Sequence, residues 1–433
     1  MMTLPRLQQH MRSGYSTAHS LVRASHRDFA STSSPQRAAA ASEHATPASF
    51  IVANAQPRIV SGIQPTGGVP HLGNYLGAIK SWVQLQDPAI QAQRMRGSTS
   101  DGQRSEPSGS ASHSVSAVSS QPSNPSNSAV DVLYMIVDLH ALTVAPEKAV
   151  LRRNITDMTI ALLACGINPA KSVLFQQSKV SGHSELMWLL GCITSNSWLS
   201  RMTQWKAKKQ QLLASKSLDK HDWGLYSYPI LMAADVLLYR GTHVPVGDDQ
   251  QQHLELASTL ANTFNHVHKS AFFPAPVPMY NDAKRIMNLR NPVNKMSKSD
   301  VSDASRINLT DSDDDIRSKL RRALTDTNEN SITFDPENRP GVANLLSIAA
   351  AIRGETPQSM AEHYTKSNLN MRGLKDAVME LVIAEVKPIR EKIAELQADE
   401  KAVHRILEEG SHRANEMSRG TLQEVRKLVG LDL

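Results

Sequence analysis

Arg58-Ile59-Val60-Ser61-Gly62-Ile63-Gln64-Pro65-Thr66-Gly67 is a short apolar strand running into a Gly/Pro/Thr loop. His71-Leu72-Gly73-Asn74-Tyr75-Leu76-Gly77-Ala78 follows as the first turns of a helix. This is the strand-loop-helix unit in which a ligand sits beyond the carboxyl end of a parallel strand. Gly73 and Asn74 open the helix, where unpaired backbone N–H groups and the dipole favour an anion. The rhythm then repeats. Val132–Val137 reads as a strand, Pro146–Cys165 as a helix with apolar Val150, Ile155, Met158 and Leu162, and Ser172–Gln176 as a strand. Such βαβ alternation predicts an α/β fold, a parallel sheet with helices on both faces. Residues 183 to 240 read as largely helical.

A second motif lies far downstream. Lys295-Met296-Ser297-Lys298-Ser299 sets two lysines and two hydroxyls on a turn without bulky aliphatic residues, a mobile cationic clamp for a pyrophosphate leaving group. Taken alone, such a pentapeptide also reads as a solvated turn. Paired with the Gly73-Asn74 helix start, it can grip one triphosphate from the other side. Beyond it the pattern is helical only. Asp311-Ser312-Asp313-Asp314-Asp315 puts acids in a first turn, and Arg317, Lys319, Arg321 and Arg322 follow. That order suits the helix dipole and favours capping over a metal site. Ile316, Leu320 and Leu324 fall on one face. Helical spacing through Leu374, Val378, Val382, Ile389, Ile393, Leu396, Val403 and Leu407 predicts a helical bundle.

With 433 residues and 40% hydrophobic content, the chain can hold two domains with a sizeable core. It has no apolar run of transmembrane length, so no membrane partner is expected. A net charge of +6 and a pI near 9.2 suit a nucleic-acid partner, although part of the excess belongs to the first residues. There Arg6, Arg12, Arg23, Arg27 and Arg37 outnumber Asp28 and Glu43 among many Ser and Ala, the composition of an organellar transit peptide or of a basic disordered tail. Residues 97–128, crowded with Ser, Pro, Gly and Asn, read as a flexible insertion. Cys165 and Cys192, without a C-x-x-C, support neither a zinc site nor a disulfide framework. The five tryptophans, Trp82, Trp188, Trp198, Trp205 and Trp223, read as packing residues.

The two motifs, with Val137-Asp138-Leu139-His140, Arg201–Lys206, Tyr228–Asp235 and Val244–Gln250, resemble the tryptophanyl-tRNA synthetases of mitochondrial and bacterial type, a class I aminoacyl-tRNA synthetase family. The likeness covers roughly residues 58 to 433 apart from the insertion. The loop Gly67-Gly68-Val69-Pro70 is one residue longer than the family pattern. The resemblance implies a Rossmann-like catalytic domain at 58–308 and a helical anticodon-binding domain at 309–433 whose last helix packs back on the first. Residues 1–57 would be an address for the mitochondrial matrix, with the chloroplast as the other candidate organelle. The implied activity is ATP-driven ligation of L-tryptophan to tRNA(Trp) by a homodimer, with Mg2+ carried by ATP and no protein-bound structural metal.

Activation joins an already ionised carboxylate to the α-phosphate of ATP and expels pyrophosphate, so it needs positioning and positive charge rather than a general base. Lys295 and Lys298 are assigned to the β and γ phosphates, Ser297 and Ser299 to the loop or phosphate oxygens, and Lys206 or Lys208 to extra charge from the opposite wall. The resemblance adds His71 to the catalytic set. It sets Gln64, Pro65, Thr66, Gly73 and Asn74 against ATP, Gly247, Asp248 and Asp249 near its ribose, and Ile286 and Met296 near adenine. For tryptophan it implies Asp235, Tyr228, Met232, Gln250, His140 and Gln204. Asp235 lies in an apolar helical stretch, where a carboxylate needs a partner. The indole N–H is one candidate; a neighbour such as Arg240 or Tyr239 is another. His140 reads equally as a core histidine or a pocket contact. Tyrosine as substrate, or a binding protein that has lost catalysis, are the competing functions. Intact Lys295, Lys298, Gln64 and Gln250 argue against loss.

Overall fold

Five parallel strands form one sheet: β1 (Arg58–Ile63), β2 (Asp131–Ile136), β3 (Val173–Gln176), β4 (His243–Val246) and β5 (Val277–Tyr280), in the spatial order β3-β2-β1-β4-β5. They belong to a computed structural model that describes residues 55–101, 130–214, 223–247, 250–280, 285–298, 300–326 and 331–432. Between β1 and β2 lie α1 (Leu72–Asn74), α2 (Lys80–Gln84) and α3 (Pro88–Asp101), then α4 (Asp138–Ala141) and α5 (Lys148–Ala164) before β3. Helices α6 (Gly182–Gly191), α7 (Asn196–Arg201), α8 (Thr203–Ala214) and α9 (Trp223–Leu237) lead to β4, and α10 (Gln251–Val267) to β5. After the lysine loop come α11 (Asp313–Arg321), α12 (Pro340–Arg353), α13 (Pro357–Lys366), α14 (Met371–Ala398) and α15 (Glu400–Val429).

Strand side chains alternate between two cores, as the period of two requires. Ile59, Val132, Tyr134, Ile136 and Leu174 pack with α5 and the C-terminal helices, while Val60, Leu133, Met135 and Phe175 pack with α6, α9 and α10. With both faces buried, the strands read as continuous apolar runs, as in other parallel sheets. The chain steps outward from β1 to β3 and then returns to β1's other side at β4. A crevice therefore opens between the carboxyl ends of β1 and β4, the switch point where α/β sheets bind ligands.

The C-terminal helices share the first core with the sheet: Leu374, Val378, Val382, Ile389, Ile393, Val403 and Leu407 are buried in it. Helix α15 covers the β3 edge. A Cβ on Gly410 would lie 1.8 Å from the Leu174 carbonyl oxygen, so only glycine permits this approach. Ser411 Oγ accepts from Gln176 N at 3.4 Å, and Arg426 grips Glu185 on α6 with two bonds of 2.7 Å. At α11, Ser312 and Asp315 form a capping box, and buried Lys319 pairs with Asp311 and Asp303 at 2.6 Å each.

Several local expectations are corrected. Helix α3 runs through Gly97 to Asp101 where a loop was expected, because each residue added to an existing helix gains a hydrogen bond; the remainder of the insertion lies outside the described residues. Trp188 and Trp223 are 73% and 71% exposed rather than packed. On α6 it is Leu186 and Leu190, one turn apart, that face the core, which turns Trp188 to the opposite side. Leu324 is exposed because α11 ends before it, and Val150 sits on the outer face of α5. Cys165 is buried at the end of α5, whereas Cys192 is exposed. Among the described residues, no helix is long and apolar enough to cross a membrane.

Candidate active site

A cavity of about 480 Å³ occupies the switch point, lined at the end of β1 by Gly62 and Gln64, from α1 by Gly73 and Asn74, and at the end of β4 by Val246 and Gly247. Glycine at 62 lets β1 pass close to its neighbour, since a Cβ there would lie 2.7 Å from Val137 Cγ1. Of the residues singled out in the sequence, His140, Gln204, Tyr228, Met232, Asp235, Gln250, Ile286 and Lys295 also line it.

One end of the site is the start of α1, where the unpaired N–H groups expected at Gly73-Asn74 are partly taken: Leu72 N donates to Ile307 O at 2.8 Å and Asn74 N to His71. His71 caps α1, its Nδ1 accepting from Asn74 N at 3.2 Å while Asn74 Oδ1 accepts from His71 N at 3.3 Å. Burial, reinforced by Lys298, Arg306 and Lys295, lowers the His71 pKa to about 4. The ring is therefore neutral near pH 7 and, with Nδ1 accepting, carries its proton on Nε2. A π-helical turn, Tyr75–Ile79, continues α1. Its position is fixed from the C-terminal helices, where Glu385 accepts from Tyr75 OH at 2.7 Å and from Lys80 at 2.8 Å. Such turns recur at functional sites.

The lysine loop closes against the loop after β1. Lys298 Nζ donates to the carbonyls of Gly67 and Gly68 at 2.9 and 2.8 Å. Both glycines have φ of +71°, a conformation other residues seldom adopt, and it presents two carbonyls to one ammonium. Burial, aided by Arg306 and opposed by Asp157, lowers the Lys298 pKa to about 8. Met296 is buried beneath the loop, 3.4 Å from where a Cβ on Gly73 would stand, and its N donates to Ile286 O at 3.1 Å.

The opposite end is acceptor chemistry. Tyr228, Met232 and Asp235 share one face of α9 at helical spacing. Tyr228 OH bonds Gln204 Oε1 at 2.9 Å and His253 Nε2 at 2.8 Å, and burial pushes its pKa up to about 12. Asp235 is 4% exposed and pairs with neither Arg240 nor Tyr239. Instead Oδ1 accepts from His183 Nδ1 and Gln177 Nε2, both at 2.7 Å, and Oδ2 accepts from His140 Nε2 at 2.8 Å. Burial alone would raise its pKa, but its bonds to His140 and His183 outweigh that and hold it at about 2. His140 stands on α4, just past the strand, and is at once a bonded core residue and a cavity wall.

Pro65, Thr66, His71, Met296, Ser297 and Lys298 lie around this cavity rather than in its lining. Lys206 is exposed on α8 and also outside the lining, while Asp248, Asp249, Ser299 and the Lys208 side chain lie outside the described residues. Gln177, His183 and Arg285 were not anticipated. The first two follow the end of β3 in Gln176–His183, and a polar run just past a parallel strand was the available signal. Among the described residues, no group of three or more His, Cys, Asp or Glu could hold a metal ion.

Comparison with known proteins follows the same lines. The profile of the family "tRNA synthetases class I (W and Y)" matches residues 53–95 and 106–387. The mitochondrial tryptophan–tRNA ligase of Dictyostelium discoideum is 43% identical over 380 residues, covering 86% of this chain and 96% of that one. Among solved structures, the Mycoplasma pneumoniae tryptophanyl-tRNA synthetase superposes with a TM-score of 0.66 at 31% identity, over 87% of this chain and 98% of that one. The Campylobacter jejuni tryptophanyl-tRNA synthetase complexed with ADP and tryptophan gives 0.63 at 28% identity, over 86% and 99%.

Proposed function

The chain belongs to the class I tRNA synthetases of the tryptophan and tyrosine group, and on that premise we propose that it is a tryptophan–tRNA ligase. It activates L-tryptophan with ATP and passes the aminoacyl group to the 3′ end of tRNA(Trp). The observation that carries this reading is that one cavity holds both a buried acceptor, Asp235, and a cationic end at Lys295, beside Gly73 and Asn74. An indole has one N–H donor and no acceptor, which fits a carboxylate.

In the first step a tryptophan carboxylate oxygen bonds to the α-phosphorus as the bond to the bridging oxygen breaks, and pyrophosphate leaves with the electron pair. Magnesium arrives with ATP. Lys295 and Lys298 meet the charge developing on the β and γ phosphates, with Ser297 and the neutral His71 as further donors. Gln64, Pro65, Thr66, Gly247, Ile286 and Met296 shape the nucleotide's place. Tyr228, Met232, His140, Gln204 and Gln250 enclose the amino acid. The expected result is tryptophan-dependent exchange of labelled pyrophosphate into ATP, with no exchange driven by tyrosine or phenylalanine. Exchange with tyrosine alone would overturn the reading.

The helices from residue 309 onward supply the anticodon-reading surface in this proposal. Two chains pair through the exposed Trp188 face of α6, so sedimentation should give twice the chain mass and Trp188→Glu should give one. Residues 1–57 direct the chain to the mitochondrial matrix, in keeping with the mitochondrial relative and the arginine excess. A chain lacking them should stay in the cytosol; its continued import would count against the address.

A further inference from the structure

Behind Asp235 stands a residue that touches no substrate. His183, on the first turn of α6, is fully buried and absent from the cavity lining. Its Nδ1 lies 2.7 Å from Asp235 Oδ1, and its Nε2 lies 2.9 Å from the hydroxyl of Tyr239, itself fully buried. The ring is stacked on Phe175 of β3 at 6.0 Å and 27°. Gly182 before it packs so closely that a Cβ there would stand 3.2 Å from both methyls of Leu238. The imidazole therefore has little room to turn.

We propose that His183 is a positioning residue for amino-acid selection, fixing which oxygen and which lone pair of Asp235 faces the indole N–H; this rests on the function proposed above. A carboxylate only accepts, so His183 Nδ1 donates to it, while Nε2 is held by the Tyr239 hydroxyl. A chain of bonds thus links Tyr239 through His183 to Asp235. Gln177 joins His183 on Oδ1 and so fills both lone pairs of that oxygen. Oδ2 receives only His140 among the described residues, which leaves one lone pair for a donor in the cavity. Without His183, Oδ1 has a vacant lone pair and the carboxylate can rotate, so the fixed Oδ2 direction is lost. A site that presents a fixed acceptor rejects a ligand lacking the donor, whereas a rotating one does so weakly.

The test compares tryptophan with its benzothiophene analogue, in which sulfur replaces the indole N–H at nearly equal shape, by pyrophosphate exchange. His183→Met keeps volume and removes the donor. It should raise KM for tryptophan about tenfold and shrink the preference for tryptophan over the analogue by a similar factor, the size expected for one hydrogen bond to a charged group. KM for ATP should stay within about twofold, since no nucleotide contact changes. His183→Asn places an amide N–H where Nδ1 stood and should recover most of the preference. Tyr239→Phe deletes one hydroxyl, and it too should weaken the preference. If His183→Met does not fold, Tyr239→Phe and His183→Asn decide. An unchanged preference in folded His183→Met, or in Tyr239→Phe where the former does not fold, would overturn the assignment and leave His183 a packing residue. A wild-type chain that shows no tryptophan-dependent exchange overturns the function itself, so the two failures are distinct.

Discussion

Lys298→Ala slows adenylate formation by on the order of 10²-fold in single turnover, while the affinity for tryptophan stays nearly unchanged. The size is that of removing one preorganised charge from a developing anion. The selectivity follows from the proposed roles, because Lys298 bonds the Gly67 and Gly68 carbonyls and makes no bond to Asp235. A pH signature accompanies it. Burial has lowered the Lys298 pKa from 10.5 to about 8, so its charge is nearly complete a pH unit or more below that value and is lost as pH rises through it. In the free enzyme, kcat/KM for ATP should therefore fall on the alkaline side near pH 8, while kcat, measured with phosphates beside the ammonium, holds to higher pH. Lys298→Arg, always charged, should remove that fall. Weaker ATP binding with an unchanged rate in Lys298→Ala would show instead that the lysine serves only the ground state.

Reading residues in order found the parts of this molecule that are local. Arg58–Ala78 contains strand, loop and helix start in one stretch, and Lys295–Ser299 contains its chemistry in five residues, so both could be recognised before any fold was known. What stayed hidden depends on contacts between distant segments. Nothing near Gly410 reveals that Leu174 lies against it, and nothing near Tyr75 reveals that Glu385 fixes a π-helical turn. Trp188 illustrates a different failure. Its residue type argues for burial, but its helical phase opposite Leu186 and Leu190 turns it to solvent, and phase prevails because the helix has only one covered side. The partners of Asp235 come from three separate elements, so its neighbours in sequence, Tyr239 and Arg240, were the wrong candidates.

Asp235→Ala raises KM for tryptophan by about ten- to hundredfold, the range for losing a hydrogen bond to a charged acceptor. It also erodes the preference over phenylalanine-like side chains and leaves KM for ATP almost unchanged. The deletion strands three donors, buried His183 and Gln177 and the cavity-wall His140, so melting temperature falls as well, and kinetics must be taken from folded protein. Asp235→Asn separates the two effects. Its carbonyl oxygen is drawn to the Oδ1 side, where His183 and Gln177 both donate, which puts the amide NH2 on the Oδ2 side. There it faces His140 and the indole N–H, donor against donor. The shape of the site is kept while its one selective contact becomes repulsive, so tryptophan should suffer as much as in the alanine variant, and the benzothiophene analogue far less. Tryptophan kinetics unaltered in folded Asp235→Asn would mean that the indole N–H finds its acceptor elsewhere, and the selective role of this carboxylate would be refuted.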